Sequence, residues 1–286
     1  MRGLIETPFE GPLARRLQAG IAERPTLYWL GQAGFVIDIA GKRLVIDPYL
    51  SDSLAEKYKG TARPHVRMMP PPVSVAEIGA VDGVLCTHAH TDHMDPGTLK
   101  PLLAANPQAR LVAPRAMRTQ ALERSGIAAD RLDLLGAGEV LEVDPGLAVT
   151  ATRAAHETLE TDEHGDHRFL GYLIAADGCR IWHSGDCIPF DDLEQEVAAL
   201  EPDIALLPVN GRRPELSQNG VPGNFDLDEA ITLAGAVGAS AMIAHHYGLF
   251  DFNTAAPEEI DAAARSSLSP VVHRAREAIA FEWAGL

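Results

Sequence analysis

Apolar residues in this chain come in short runs, cut by glycine, proline and acidic residues. Leu13, Leu17 and Ile21 fall at helical spacing and predict one amphipathic helix within residues 1–25. Three β-rich runs follow, Thr26 to Gly31, Phe35 to Ile39 and Arg43 to Tyr49, with Gly41-Lys42 as a turn. Short runs broken by glycine predict an antiparallel meander. Residues 51–75 lack periodicity and end in Met68-Met69-Pro70-Pro71-Pro72, which regular structure does not tolerate. A loop of that length is usually functional or mobile. Its candidate substrate contacts are Arg63, His65 and Arg67, although solvated loop charge explains each equally well.

Val81 to Cys86 is a β-branched apolar run that predicts a buried strand. Asp95-Pro96 then opens a helix carrying Leu99, Leu102 and Leu103 on one face. The pattern continues as a strand (Ala109 to Ala113), a helix (Arg115 to Ser125) and a strand (Arg131 to Leu135). Val140 to Val143 and Leu147 to Arg153 form a hairpin around Asp144-Pro145-Gly146. Two more strands, Phe169 to Ala176 and Cys179 to His183, meet at Asp177-Gly178, and a helix opened by Asp191 and Asp192 runs to Leu200. Asp203 to Pro208 and Ser240 to Ala244 read as buried strands. Between them, Asp226 and Glu229 have the spacing of a capping box. A last helix starts near Pro257, and the tail from Val271 adds an edge strand near Phe281. The class is α/β. No repeat or clean linker is visible, but two similar β-layers could still be duplicated without recognisable identity.

Composition narrows the partners. The 286 residues suit one large domain or two small ones, and 46% hydrophobic with 22% charged is ordinary for a soluble globular protein. Apolar runs are too short to span a bilayer, and the first residues lack the apolar core of a signal peptide. Forty acidic against 24 basic residues give a net charge of -16, which disfavours nucleic acid as a partner. A small anionic substrate needs only a local arginine. Three cysteines without framework spacing predict reduced thiols and a cytoplasmic location, with Cys86 a small core residue. A homo-oligomer remains open.

The chemistry concentrates in Cys86-Thr87-His88-Ala89-His90-Thr91-Asp92-His93-Met94-Asp95, between a strand end and a helix start. Ligands bind in that position in open α/β layers. Imidazoles suit zinc and other first-row metals, and carboxylates suit harder ions. Taken alone, His156 reads equally well as a ligand or as a plain surface histidine. Yet strand ends supply His88, His90, Asp92, His93, His156, Asp186 and His246, and seven such groups describe a two-metal site. Two adjacent cations can bring the pKa of a shared water toward ~7 and hold a nucleophile beside the reacting oxygen.

The His-x-His-x-Asp-His loop, the later histidine, Ser184-Gly185-Asp186 and the last histidine resemble, in order, the metallo-β-lactamase superfamily over nearly the whole chain. Trp29-Leu30-Gly31-Gln32-Ala33-Gly34, Ile46-Asp47-Pro48, Leu207 to Arg212 and Gly223-Asn224 resemble its L-ascorbate-6-phosphate lactonase branch. The resemblance implies one hydrolase domain over 1–286, a four-layer αββα sandwich of two mixed β-sheets with two divalent ions, zinc or manganese, at one edge. His88, His90 and His156 would hold the first ion, and Asp92, His93 and His246 the second. Asp186 would lie between them, with Asp92 and Asp186 catalytic. His246 is preferred to His245 because Phe250 follows it by four positions, as in the branch. Asp47 would orient a ligand histidine from behind, Arg212 would meet a substrate phosphate, and Asn210 and Asn224 would shape the pocket. Turn and cap roles suit the last three as well. The implied activity is hydrolysis of a small ester or lactone, phosphorylated in the branch's own case. A phosphodiesterase acting on small or lipid phosphodiesters and a non-catalytic metal-binding protein are the alternatives.

Overall fold

Period-two alternation decides what each strand covers. In the computed structural model, which describes residues 3–285, Leu27, Trp29, Phe35, Ile37 and Ile39 belong to one apolar cluster, while Tyr28, Leu30 and Val36 belong to another. Strands packed on both faces need both faces apolar, which is why these runs show no polar side. In chain order the strands are β1 (Gly3–Pro8), β2 (Thr26–Gly31), β3 (Gly34–Ile39), β4 (Lys42–Ile46), β5 (Gly83–Leu85), β6 (Arg110–Pro114) and β7 (Leu132–Leu135). They continue as β8 (Val140–Asp144), β9 (Leu147–Arg153), β10 (Leu170–Ala176), β11 (Cys179–His183), β12 (Ile204–Pro208), β13 (Ala241–His245), β14 (Val271–Arg274) and β15 (Ile279–Ala284).

Two mixed sheets result, ordered β1-β15-β2-β3-β4-β5-β6-β7 and β14-β13-β12-β11-β10-β9-β8. In each, an antiparallel section (β2-β3-β4; β9-β10-β11) runs into four parallel strands (β4 to β7; β11 to β14). The two layers thus share one plan, without a repeat in the sequence. Helices α1 (Leu13–Gln18), α3 (Pro96–Ala105) and α4 (Arg118–Ser125) cover the first sheet through Leu17, Leu99, Leu102 and Ala121. Helices α5 (Leu193–Ala198), α7 (Leu227–Ala236) and α8 (Pro257–Ser266) cover the second through Val197, Ala234 and Ile260. The short α2 (Ser53–Lys57) and α6 (Pro214–Ser217) lie in connections. Each fully buried leucine or isoleucine in these layers contributes about 1.5–3 kcal/mol.

The first sheet's outer layer also holds a buried charge. Arg43 is 3% exposed and donates to both oxygens of Asp38 (2.7 and 2.9 Å) and to the carbonyls of Leu17 (3.0 Å), Gly20 (2.9 Å) and Ile78 (3.4 Å). It fastens the end of α1 and the segment before β5 to the sheet.

Three expectations change. Phe281 is not on an edge, because β15 pairs with β1 through Glu6↔Phe281 and with β2 through Leu27↔Phe281. The edge is β1, which the sequence pattern did not show. Helix α1 stops before Ile21, since Gly20 stands at φ 116° and Ile21 is 39% exposed. Within residues 51–75, α2 forms one short helical stretch.

Glu6 of β1 accepts from His273 of β14 (2.9 Å) and pairs with Arg276, so it joins an edge of each sheet. The His273 hydrogen bond, against the opposing effect of burial, and the Arg276 charge hold the Glu6 carboxyl below the usual carboxylate range. Stability from such a group is present above its unfolded pKa and is lost as pH falls through the folded one. Glu6→Gln should therefore lower the urea midpoint at pH 7, with the difference from wild type shrinking toward pH 3. A difference independent of pH would remove this account.

Candidate metal centre

Every predicted ligand, and Asp47 behind them, follows the C-terminal end of a strand. Asp47 follows β4, and His88, His90, Asp92 and His93 lie in the turns after β5. His156 follows β9, Asp186 follows β11 and His246 follows β13. The first sheet supplies five of these side chains and the second supplies three. Asp95 closes the β5 loop by capping α3, accepting from Gly97 N (3.0 Å) and the Thr98 hydroxyl (2.6 Å). Arg124 of α4 supports the same loop through the carbonyls of Ala89 and Met94.

The side chains gather into two groups. His88, His90, His156 and Asp186 form one, and Asp92, His93 and His246 the other, with one donor atom per residue within 4.8 Å of the rest of its group. Asp186 faces both: Oδ1 is 3.3 Å from Nε2 of His93 and of His246, and Oδ2 is 3.5 Å from His156 Nε2. The Nε2 atoms of His88 and His93 and Asp186 Oδ1 are buried without hydrogen-bond partners. An unsatisfied buried polar atom costs about 1–3 kcal/mol, so several converging on one point fit a cation.

Hydrogen bonds behind the histidines set their tautomers. Asp47 accepts from His93 Nδ1 (2.7 Å), Thr87 N (2.8 Å) and Thr87 Oγ1 (2.6 Å). Thr87 Oγ1 gives its only proton to Asp47, so it accepts from His88 Nδ1 (3.0 Å). Both rings then turn Nε2 toward the donor groups, His88 as a lone pair and His93 as the atom from which a bound cation would displace a proton.

Charge follows the same division. Burial pushes the pKa of His88 well below the ordinary value, that of His90 below it, and that of His156 down to about 3, so these rings are neutral at pH 7. Burial also opposes charge on His93, but Asp186, Asp47 and Asp92 outweigh it and raise its pKa well above the ordinary value. Burial opposes ionisation of Asp186 as well, yet His246 and His93 hold its carboxyl well below the usual range. His93 and His246 do the same, less strongly, for Asp92.

The turn that presents Asp186 requires glycine. Gly185 has φ 64°, and a Cβ there would stand 2.6 Å from Leu170 O and 3.0 Å from Thr87 Cβ. Gly185→Ala is expected to cost about 1–3 kcal/mol through backbone strain alone and to weaken ion binding by shifting Asp186. Thermal unfolding and an ion titration would measure both, and an unchanged midpoint would contradict the expectation.

A cleft of about 810 Å³ opens over the groups, with His90, Asp92, His156, Asp186 and His246 in its floor. Arg63 and His65 line it. Arg67 instead turns away, donating to Tyr49 O (2.8 Å) with its guanidinium 4.8 Å over the Tyr49 ring. The sequence pattern gave no sign of Lys57, Tyr58, Arg124 and Phe252 in the lining. Arg212 is not brought to the cleft: its guanidinium makes two 2.6 Å bonds to Glu229 and one to Asn224 O. Glu229 also accepts from Asp226 N (3.0 Å), so one carboxylate caps α7 and occupies the arginine. Asn224 donates to Asn210 (2.9 Å) and Asn210 to Asn253 (2.8 Å), so this amide chain reaches the lining only through Asn253. His245, beside His246, packs on Phe35 and His183.

Residues 42–247, which run from just before Asp47 to just beyond His246, match the family described as the β-lactamase superfamily domain. The chain belongs to the metallo-β-lactamase superfamily. Among superfamily members, a UPF0173 metal-dependent hydrolase of Polynucleobacter asymbioticus is 29% identical over 272 residues, covering 89% of this chain and 85% of that protein. One from Sulfolobus acidocaldarius is 30% identical over 192 residues, 66% of this chain and 73% of that one. In fold, the chain resembles an isothiocyanate hydrolase from Delia radicum gut bacteria, with TM-score 0.71, 20% identity and coverage of 91% of this chain and 100% of the other. A metallo hydrolase from Ignicoccus hospitalis gives TM-score 0.67 at 21% identity, covering 90% and 98%. The two mixed sheets with flanking helices are the superfamily's sandwich, and its His/Asp groups are compatible with a divalent metal site. Among the described residues, no helix is long and apolar enough to cross a membrane.

Proposed function

We propose that this superfamily member is a two-ion hydrolase of a small ester or lactone carrying an anionic group. The observation that carries the reading is the convergence of unpartnered imidazole and carboxylate atoms in the floor of an open cleft. His88, His90 and His156 would hold one ion, Asp92, His93 and His246 the other, and Asp186 would serve both. When bound, such ions supply Lewis acidity to a carbonyl oxygen and its attacking water.

The chain's own groups do the rest. Asp92 has 18% side-chain exposure against 4% for Asp186, and is the carboxylate placed to accept a proton from the cleft. Lys57 and Arg63 line the cleft and make no ion pair among the described residues, so they are available to an anion. His65 donates from Nδ1 to Arg63 O (2.7 Å), leaving Nε2 as an acceptor for a substrate hydroxyl. Phe250, Phe252 and Tyr58 pack around that ring and fix it as part of the cleft wall.

L-Ascorbate 6-phosphate is the first substrate to test, because it joins a lactone to a phosphate and the branch motifs point to it. Manganese-loaded protein should hydrolyse it, and a chelator should stop the reaction. The same cations suit a phosphodiester. A rate on an aryl phosphodiester far above that on lactones and esters would replace this reading with a phosphodiesterase. A fully loaded protein inert toward every class would leave only metal binding.

A further inference from the structure

Gln32 has no role in the reading above, yet its side chain enters the centre. It follows β2 directly, at the same sheet edge as the ligands, and is 1% exposed. Its backbone has φ 50°, a left-handed conformation that costs a non-glycine residue about 1–3 kcal/mol. Such strain persists only where the surroundings hold it. Here Gln32 O accepts from Trp29 Nε1 (3.0 Å) and His246 N (2.9 Å), and His183 Nε2 donates to Ala33 O (2.9 Å). His246 is itself left-handed, at φ 61°. Two strained residues, one from each sheet, are therefore locked together by a backbone hydrogen bond beside the second donor group.

The lock aims the carboxamide at that group. Gln32 Nε2 is 2.9 Å from Asp92 Oδ2 and 3.2 Å from His246 Nε2. Facing atoms around the same centre are separated by similar distances: 3.3 Å for His246–Asp186, 3.7 Å for His246–Asp92 and 3.9 Å for His93–Asp92. Ligands about 2.0–2.2 Å from one ion lie about 3.0–3.6 Å apart, so the end of Gln32 already stands at ligand spacing. The other amide atom, Oε1, is buried without a hydrogen-bond partner. Turning the amide over therefore breaks no bond on the oxygen side. Oxygen and nitrogen of a carboxamide are interchangeable in shape, and the surroundings decide which faces where. Beside a bare carboxylate the NH₂ faces inward; beside a cation the oxygen does.

We infer that Gln32 is a ligand, through Oε1, of the ion held by Asp92, His93 and His246. The assignment rests on the two-ion reading above. With Asp186 shared between the two ions, it gives that ion a fifth donor, against four for the ion held by His88, His90 and His156. A neutral amide oxygen also suits a harder ion than the three histidines of the first group do. The two positions then differ in chemistry as well as in place.

The test is calorimetric titration of the full-length, ion-stripped chain with manganese, comparing wild type, Gln32→Ala, Gln32→Met and Gln32→Glu. Gln32→Met keeps the length of the side chain but offers a soft thioether that manganese does not favour. Wild type should bind two ions. Both the Ala and Met variants should bind the first as before and the second more weakly, by at least the roughly 10–100-fold seen when an outer partner of a ligand is lost. Gln32→Glu, which restores an oxygen, should recover the second ion. Two ions bound with unchanged or higher affinity by Gln32→Met would overturn the assignment and leave the two-ion reading intact. A wild-type chain that binds fewer than two ions would overturn both.

Discussion

Asp186→Ala should abolish turnover of whatever ester or lactone the wild type cleaves. Its carboxylate alone faces both donor groups, within 3.3 Å of His93 and His246 and 3.5 Å of His156. Alanine leaves the first group three donors and removes the anion that offsets the crowded imidazoles. The loss in kcat/KM should exceed the roughly 10–100-fold typical of removing a residue behind a ligand. Asp47→Asn supplies that reference within the same protein, because Asp47 touches His93 but neither group's donor face. Ion stoichiometry should fall with Asp186→Ala and hold with Asp47→Asn, at lower affinity. Activity of Asp186→Ala within tenfold of wild type would sink the two-ion assignment.

Arg43→Ala should be the most destabilising single change outside the centre. It leaves Asp38, which is fully buried, with only the Ala22 N–H (2.9 Å) in place of a two-point guanidinium contact. It also frees three carbonyls that fasten α1 and the segment before β5. Breaking one side of a buried ion pair costs about 3–5 kcal/mol. In a chain of this size that lowers the melting temperature by on the order of 10 °C. Arg43→Met combined with Asp38→Leu should recover part of the loss, because the uncompensated charge is then gone. A double variant no more stable than Arg43→Ala would trace the loss to the three carbonyl contacts and not to the stranded charge.

The strands that carry the centre are readable because each is a short apolar run that gives way to a polar segment. That pattern is local, and it placed His88, His156, Asp186 and His246 at strand ends. The misplaced elements depend on distant partners. Nothing near Gly3–Pro8 shows that it pairs with Ile279–Ala284, so β1 was invisible and β15 looked like an edge. The placement of Arg212 away from the cleft has a similar cause. Glu229 was legible as a helix cap, but its second bond, to Arg212, depends on how the loop before α7 folds back. Gln32 lay within the Trp29 to Gly34 motif without a role. Its signal is a polar residue flanked by Gly31 and Ala33-Gly34, immediately after a strand that ends at the same sheet edge as the ligand-bearing strands. The left-handed backbone that turns it inward is not written in its residue type.

Because the donors come from both sheets, an ion seated among them is also a rivet through the sandwich. His93 and Asp92 belong to one layer and Asp186 and His246 to the other, and the Glu6–His273 contact ties the layers through their edge strands β1 and β14. A ligand that binds only the folded chain adds about 2.7 kcal/mol at a free concentration 100 times its dissociation constant. A chelator should therefore act on this protein as a mild denaturant as well as an inhibitor. It should lower the unfolding temperature and speed amide exchange in β11 and β13 more than in the helices. The fold would then report the free ion concentration around it, with part of its stability held on loan from the solution.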